Sequence, residues 1–221
     1  MLLAPLPVLA QFAGQEAATP KIQVTRLDAA PTLDGNVVGD AAWSTLQPAR
    51  QFWQVQPNDG SAATQKTEVF VGYTDKALYV GVMAYDDDPS AIIVSDSRRD
   101  SSLDDTDAFL FVIDGLFDRQ NGYVFGTNAA GIEYDGQVTK EGAGDDFGSG
   151  GGAFNLNWDG SWTVQAQVGE NGWSAEFEIP FSTLRYGRGE VQDWGINFQR
   201  NIRRNNEIAY WAPLDRNRNL Y

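Results

Sequence analysis

The chain has 221 residues, of which 42% are hydrophobic, and a formal net charge of −14. This length suits one domain of β-sandwich size with tails, and the negative charge argues against nucleic acid as a partner because it repels phosphate backbones. The sequence contains no cysteine and no histidine, which excludes disulfides, thiol catalysis, a histidine-based triad and an ordinary zinc site. The charge suits neutral ligands, or Ca²⁺ held by carboxylates.

The first ten residues, MLLAPLPVLA, are apolar and end in a small-x-small pattern that is typical of a secretory signal. We therefore expect residues 1–20 to be a signal-peptide remnant followed by a flexible leader. Export then places the protein in the periplasm, at the cell surface or in association with the outer membrane. No other stretch approaches the roughly 20 apolar residues of a transmembrane helix.

Short apolar runs follow one another along the rest of the chain, with hardly any helical periodicity. The clearest hairpin joins residues 162–168 to residues 173–179, where apolar side chains alternate in both runs. Ala108–Asp114 is apolar almost throughout and predicts a strand buried on both faces. Further strands are predicted at 21–27, 67–73, 78–85, 122–127, 132–138 and 194–202. The pattern predicts an all-β, antiparallel and jelly-roll-like β-sandwich of about 8–10 strands with minimal helix, and residues 141–152, rich in glycine and acid, predict a mobile loop.

A strongly charged segment, residues 98–107, precedes the predicted central strand. Loops at the rim of a rigid sheet are where binding sites tend to lie, so we interpret this segment as one wall of a site. Ca²⁺ takes six to eight oxygen ligands and often several from one loop, which makes Asp104, Asp105 and Asp107 candidate ligands of a structural calcium ion. The alternative is a solvated acidic loop that pairs with the arginines at positions 98 and 99. Residues 86–88 form a second acidic cluster, best interpreted as a solvated strand end.

Sugar sites combine flat aromatic faces with polar side chains that exchange hydrogen bonds with hydroxyl groups. Two tryptophans lie outside the clean apolar alternation that assigns Trp162, Trp173 and Trp194 to the core, although packing under a loop is the alternative for each. The candidate ligand-binding residues are these two tryptophans and five polar side chains: Trp53, Trp158, Arg99, Asp100, Asn128, Asn197 and Arg203.

Arg200 interrupts the apolar face of the last predicted strand and must meet a carboxylate or backbone carbonyls. Asp107 and Glu178 are candidates for a buried ion pair with it. 

A glycosidase needs two carboxylates across a cleft, and without histidine this is about the only hydrolytic route open to the chain. Glu133 with Asp135, and Glu176 with Glu178, are spaced two residues apart on single strands, where decoration of a sheet surface is the ordinary interpretation. We expect no catalysis, and a carboxylate-dependent glycoside hydrolase stays as an alternative.

An ordered set of short motifs resembles the family 9 carbohydrate-binding modules over roughly residues 22–212. The set comprises Leu33-Asp34-Gly35, Asp40-Ala-Ala-Trp43, Asp105-x-Asp107, Asn128-x-x-Gly131, Gly172-Trp173-x-x-Glu176 and Trp194-Gly195-x-Asn197-Phe198-x-Arg200. The resemblance implies a β-sandwich module over residues 21–212, secretion, a glycan or polysaccharide as ligand, and Ca²⁺ as a structural ion.

Residues 98–100 (RRD) and the pattern Arg200-x-x-Arg203-x-x-x-Glu207 resemble, more narrowly, the N-terminal module of bacterial outer-membrane barrel proteins of unknown function. That resemblance implies a C-terminal barrel in the same full-length chain, with residues 213–221 as the start of a linker or a truncated downstream region. We predict a non-catalytic glycan-binding module of an exported surface protein. The alternative is a structural or gating domain of such a barrel protein, without sugar affinity of its own.

Overall fold

A computed structural model describes residues 19–139, 154–214 and 220. The predicted mobile loop 141–152 lies outside the described residues. Within them the chain forms twelve strands: β1 (Thr25–Arg26), β2 (Trp53–Gln56), β3 (Thr67–Tyr73), β4 (Ala77–Tyr85), β5 (Ala108–Asp114), β6 (Gly122–Asn128), β7 (Tyr134–Val138), β8 (Phe154–Asn155), β9 (Thr163–Gly169), β10 (Gly172–Pro180), β11 (Gly195–Ile202) and β12 (Glu207–Tyr210).

The strands form two sheets. One has five strands in the order β1-β3-β4-β10-β9, and the other has seven in the order β2-β12-β11-β5-β6-β7-β8. The pairs are antiparallel except for β1 with β3. The structure confirms the predicted all-β antiparallel sandwich.

The observed strands differ from the prediction in four places where apolar periodicity is weak. The predicted first strand, 21–27, pairs over two residues only. Three short strands were not indicated by the sequence, because two to four residues carry too little alternation to be recognised: Trp53–Gln56, Phe154–Asn155 and Glu207–Tyr210. Short 3-10 helices lie at Pro89–Ala91 and Arg203–Asn205, and none of the helices in the described ranges is long and apolar enough to cross a membrane.

Aromatic side chains fill the space between the sheets. Phe111 of the seven-stranded sheet meets Phe177 of the five-stranded sheet edge-on, with ring centroids 5.1 Å apart, and Trp162 stacks on Phe177 at 5.8 Å. Trp162 and Trp173 are buried as predicted, whereas Trp194 is partly buried against the same cluster. Burial of each such side chain contributes about 1.5–3 kcal/mol, so this layer is the main source of stability.

A fully buried carboxylate ties a long loop to the outer face of the five-stranded sheet. Glu176 on β10 accepts hydrogen bonds from the Trp43 indole (2.7 Å) and from the backbone N–H groups of Gly35 (2.9 Å) and Asp34 (3.0 Å). Gly35 has a φ of +84°, and a Cβ there would lie 2.8 Å from the backbone of Ala166. The loop therefore approaches the sheet closely enough to bury Trp43.

The outer face of the seven-stranded sheet is also covered by the chain itself. Leu103, from the charged segment, and Leu220 pack with Leu110 and Val124 in a second apolar cluster. Both sheets thus bury apolar side chains on two faces, which explains the continuous apolar run of β5.

Candidate functional site

An open hollow of about 400 Å³ lies beside edge strand β2. Trp53 is 38% exposed at its wall, and Trp211, which also lines it, is 6% exposed and packs on Phe198 with ring centroids 5.3 Å apart. The other lining residues are Pro20, Arg50, Gln51, Gly60 and Pro213. The hollow thus combines a free aromatic surface with side chains that can donate and accept hydrogen bonds.

The strand β2 is held on both sides. Trp53 pairs with Tyr210 of β12 on one side and with Ala62 on the other. The loop after β2 folds back so that Gln54 N–H donates to the Ser61 carbonyl at 2.8 Å and the N–H of residue 63 donates to the carbonyl of residue 52 at 2.9 Å. Trp53 is therefore presented from a fixed backbone.

Asn197 supports the segment that carries two of the lining residues, Trp211 and Pro213. Its Oδ1 accepts hydrogen bonds from the N–H groups of Ala212 (2.8 Å) and Phe198 (2.9 Å), and its Nδ2 donates to the Ala212 carbonyl (3.0 Å). The side chain is buried. Asn197 therefore braces the segment that carries Trp211, and its polar atoms are already engaged by backbone.

Arg50 and Gln51 enter the hollow from the segment before β2. Arg50 Nε donates to Glu68 Oε1 at 2.7 Å. Burial alone would raise the pKa of Glu68, but hydrogen bonds from Lys66, Tyr85 and Arg50 lower the pKa below its usual value, so the carboxylate stays charged and fixes the guanidinium. Gln51 has a φ of +66°, a conformation that costs about 1–3 kcal/mol outside glycine and concentrates at functional sites.

A second polar region, the Arg99 cluster, consists of Arg99 with Asp100, Glu133, Asp135 and Asp159. Arg99 forms ion pairs with Glu133, with Asp135 and Asp159 at 2.6 Å each, and with Asp100 at 3.4 Å. Asp135 is fully buried and also accepts a hydrogen bond from the N–H of residue 160 at 2.7 Å. One cation thus faces four carboxylates, and burial, reinforced by neighbouring carboxylates, raises the pKa of both Glu133 and Asp135.

Two further predicted ligand-binding residues, Trp158 and Asn128, lie in or contact chain segments next to the Arg99 cluster. Trp158 is partly buried and packs on Tyr123, with ring centroids 4.8 Å apart. Asn128 is fully buried, donates to the Asp96 carbonyl at 2.8 Å and accepts from the Ala130 N–H at 2.9 Å. These contacts show both side chains supporting loops.

The predicted ligand-binding residues therefore do not form one site: some lie at the hollow and others at or beside the Arg99 cluster. Asp135, in the Arg99 cluster, is on β7, five strands from Trp53 on β2, a distance of roughly 24 Å at the usual strand spacing. Arg203 lies apart from both and pairs with Asp105 at 3.0 Å. Sequence reasoning missed Arg50, Gln51 and Trp211, since only the pairing of β12 with β2 brings them together.

The three predicted calcium ligands do not converge. Asp104 is exposed and accepts a hydrogen bond from Ser102 Oγ at 3.0 Å, Asp105 pairs with Arg203, and Asp107 is buried and accepts from the Ile93 N–H at 2.7 Å. In residues 19–139, 154–214 and 220, no group of three or more acidic side chains could hold a metal ion. The calcium prediction therefore has no set of converging carboxylates to support it.

Arg200 faces inward as predicted, but its partners are carbonyl and hydroxyl oxygens. It donates to the carbonyls of Lys66 (3.0 Å) and Tyr85 (2.9 Å) and to Thr67 Oγ1 (3.1 Å). Among the described side chains no carboxylate forms an ion pair with it, so the predicted pair with Asp107 or Glu178 is not formed.

Neither candidate pair of hydrolytic carboxylates spans a cleft. Glu176 is enclosed beneath the loop that it holds, while Glu178 accepts a hydrogen bond from Tyr79 at 3.3 Å. Glu133 and Asp135 share one guanidinium, that of Arg99. A glycosidase pair would have to face a substrate from two sides.

No family model matches the chain, and no curated protein matches it either. Solved structures do match. A family 9 carbohydrate-binding module from Caldicellulosiruptor kristjanssonii in complex with cellotriose is 18% identical with a TM-score of 0.59, over 89% of this chain and 85% of that chain. A family 9 module from the same organism in complex with glucose is 16% identical with a TM-score of 0.58, over 88% and 86%.

A protein from Bacteroides uniformis that is described as a candidate carbohydrate-binding protein is 12% identical, with a TM-score of 0.64 over 89% of this chain and 91% of that chain. Each similarity extends over nearly the whole of both chains, although few residues are shared. The chain therefore has the β-sandwich fold that these carbohydrate-binding proteins share.

Proposed function

We propose that the chain is a glycan-binding module without catalytic activity of its own, and that the glycan lies against Trp53. The observation that carries this proposal is the partly exposed indole at the wall of a hollow of about 400 Å³. Its support from known proteins is that modules of this fold have been solved with cellotriose and with glucose.

The chemistry of the hollow suits a neutral sugar. The face of an aromatic ring carries partial negative charge and attracts the C–H-rich face of a pyranose. Arg50 and Gln51 can exchange hydrogen bonds with hydroxyl groups at the ring's edge, which gives orientation. A chain with a net charge of −14 would repel a strongly acidic polymer, so the proposal is for uncharged glycans.

The proposal of a non-catalytic role is supported by how the carboxylates are used. Glu176 is engaged by three hydrogen-bond donors, and Glu133 and Asp135 bind Arg99. At the hollow, Glu68 is bound to Arg50 and Lys66 and accepts a hydrogen bond from the Tyr85 hydroxyl. Acid–base catalysis needs carboxylates within reach of the substrate.

Isothermal titration with glucose, cello-oligosaccharides and a wider glycan panel tests the proposal. We expect Trp53→Ala to weaken binding at least tenfold, about 1.4 kcal/mol, while the melting temperature stays unchanged because the ring is partly exposed. Tyr186→Ala is the matched control: Tyr186 is 39% exposed and does not line the hollow. Absence of binding by the unaltered protein to every soluble and insoluble glycan, or undiminished binding by Trp53→Ala, would refute it.

We also propose that the module is exported and precedes an outer-membrane barrel in the full-length protein. The supports are the apolar start of the sequence and the resemblance of residues 98–100 and 200–207 described above. Fractionation of cells that produce the full-length protein tests this: recovery in the cytoplasm would contradict export. Strands of about ten alternating residues in the downstream sequence would support the barrel.

A further inference from the structure

A second, smaller hollow of about 230 Å³ lies where the turn between β5 and β6 meets the segment that follows β10. We call it the Arg185 hollow. None of its lining residues lines the hollow beside Trp53. Tyr123 on β6, which lines it, is four strands from β2, roughly 19 Å at the usual strand spacing. The two hollows are therefore separate. The side chains that line the Arg185 hollow in the described part of the chain are those of Leu116, Asn121, Tyr123, Gln137 and Arg185.

The walls of the Arg185 hollow are fixed by backbone contacts. The Asp114 carboxylate at the end of β5 accepts hydrogen bonds from the N–H groups of Leu116 (3.1 Å) and Arg119 (2.7 Å). Gly115 lies directly against the segment that carries Arg185, because a Cβ at position 115 would be 2.6 Å from the Arg185 carbonyl oxygen. The turn and the segment that follows β10 therefore keep a constant spacing on the two sides of the hollow.

Polar groups that line the Arg185 hollow are left without partners. Within the described ranges the Arg185 guanidinium forms no ion pair and no hydrogen bond, and the Gln137 side-chain amide forms no hydrogen bond. Asn121 Nδ2 donates to Asp118 Oδ2 at 2.8 Å, which leaves Asn121 Oδ1 as the atom available to a ligand. The hollow thus offers a guanidinium, a whole amide and one amide oxygen.

An apolar wall accompanies these polar groups. Tyr123 is 7% exposed and its ring packs on Trp158, with ring centroids 4.8 Å apart, so the ring is supported from behind. Leu116 also lines the hollow and is 52% exposed. The C–H-rich face of a sugar ring packs against such a surface, while its hydroxyl groups bind polar side chains. Both kinds of contact are present in the Arg185 hollow.

The mixture of donors and acceptors indicates the class of ligand. A guanidinium only donates hydrogen bonds, whereas Asn121 Oδ1 only accepts them. An anion such as phosphate only accepts, and both that oxygen and the net charge of −14 would repel it. A sugar hydroxyl donates and accepts. Pockets for drug-sized ligands measure about 300–1,000 Å³, so the Arg185 hollow is of a size for a single sugar residue.

We propose that the Arg185 hollow is a second sugar site, which binds one uncharged sugar residue of a glycan independently of Trp53. The planar fork of Arg185 donates to neighbouring hydroxyl groups, Gln137 and Asn121 bind further hydroxyl groups, and the sugar ring lies against the apolar wall. The proposal goes beyond the glycan site at Trp53, since each site can be occupied without the other.

Titration of isotope-labelled protein with glucose, galactose, mannose and xylose, followed by NMR, tests the proposal. We expect the side-chain N–H resonances of Gln137, Asn121 and Arg185 to shift and to saturate by about 0.1 M sugar, a hundredfold above a millimolar dissociation constant. The same shifts should appear in Trp53→Ala. Arg185→Ala should weaken this binding at least tenfold and leave the Trp53 indole response and the melting temperature unchanged, because the Arg185 side chain is exposed.

Arg188→Ala is the matched control for the loss of charge. Arg188 belongs to the same segment, is exposed and does not line the Arg185 hollow, so its removal should leave the sugar response unchanged. Arg185→Lys keeps the charge but loses the planar fork, and it should also weaken sugar binding.

Silence of Gln137 and Asn121 with every sugar would overturn the proposal, and so would an undiminished response in Arg185→Ala. Equal shifts on addition of sodium phosphate would indicate an anion site and overturn it as well. A response at Trp53 alone would leave the proposed function standing and refute the second site, whereas a response at Gln137 alone would do the reverse.

Discussion

Two arginines organise the polar interior of this molecule in opposite ways. The Arg99 side chain is 37% exposed and pairs with four carboxylates, which raise its pKa against the effect of burial. Arg200 is fully enclosed, donates to neutral oxygens, and has its pKa lowered by burial. Water can replace the partners of the first side chain, whereas nothing replaces the partners of the second. We therefore expect the arginine without ion pairs to matter more for stability.

The largest expected effect is that of Arg200→Met. The change removes hydrogen bonds to three oxygen acceptors and the positive charge that offsets Asp107, Asp86 and Glu207. We therefore expect a loss of about 3–5 kcal/mol in the free energy of unfolding. Urea unfolding followed by tryptophan fluorescence measures it. Arg188→Met is the control, because Arg188 is exposed and a surface change stays within about 0.5 kcal/mol. A loss below about 1 kcal/mol would contradict the expectation that Arg200 matters more for stability than Arg99.

Glu176→Gln tests whether a buried carboxylate satisfied entirely by N–H donors behaves like the enclosed arginine. The amide group would present N–H atoms to at least one of the donors from Trp43, Gly35 and Asp34. We expect a loss of about 2–3 kcal/mol, measured by the same urea unfolding. Glu178→Gln, on the same strand face and partly exposed, should change stability by less than about 0.5 kcal/mol; equal losses in the two variants would argue against this role for Glu176.

Arg99→Gln should have a smaller effect, about 1 kcal/mol, because three of its four ion-pair partners are at least partly exposed. The fourth, the buried Asp135, keeps its hydrogen bond from the N–H of residue 160. The loss should shrink further in 1 M NaCl, where the Debye length falls to about 3 Å. The Arg200→Met loss should be almost independent of salt, since its partners are buried. A salt-dependent loss for Arg200→Met with a salt-independent loss for Arg99→Gln would show that exposure does not explain the difference between the two arginines.

The smallest expected effect is a stabilisation in mild acid that both arginine regions share. The folded pKa values of Glu133, Asp135 and Asp107 are raised, chiefly by burial. A carboxyl group whose pKa is raised binds its proton more readily in the folded state. Stability therefore increases as pH falls through the folded pKa, and the gain is complete below the unfolded pKa of about 4. Carboxylates with lowered pKa values, among them Glu68 and Asp118, reverse the trend below that pH.

Melting temperatures between pH 7 and pH 3 measure this dependence. We expect a maximum below pH 7 and above the unfolded carboxylate pKa of about 4. Asp107→Asn should remove part of the rise on acidification without removing the fall at lower pH. A melting temperature that falls steadily from pH 7 would contradict the raised pKa values.

The strands with strong periodicity could be predicted from the sequence, because the alternation of apolar and polar residues follows which side chains are buried. The alternation of Trp173, Ala175, Phe177 and Ile179 predicted the hairpin of β9 and β10, and the apolar run of β5 predicted a strand covered on both faces. Arg200 stood out as a break in such a pattern, which indicated a buried polar contact. The pattern could not show whether oxygens of carboxylates or of the backbone would meet it.

Contacts between distant segments could not be predicted. Arg99 meets carboxylates 34 and 60 residues further along the chain, and no periodicity indicates such pairs. Trp53 was a candidate ligand-binding residue with packing under a loop as the alternative, and its position beside Trp211 depends on the pairing of two four-residue strands. Charge patterns in a sequence indicate that partners exist, and only the fold decides which of them are enclosed.

The backbone of β2 has a further consequence for how this molecule meets others. An unpaired outer strand is a template on which another chain can extend a sheet. Here the folded-back segment at Ser61 already takes up the hydrogen-bonding groups of Gln54 on that side. The backbone of Gln54 on this edge is therefore already hydrogen-bonded, which blocks the addition of a peptide strand or of a second copy of the chain at β2. Recognition there depends on side-chain chemistry, with the aromatic surface of Trp53 foremost.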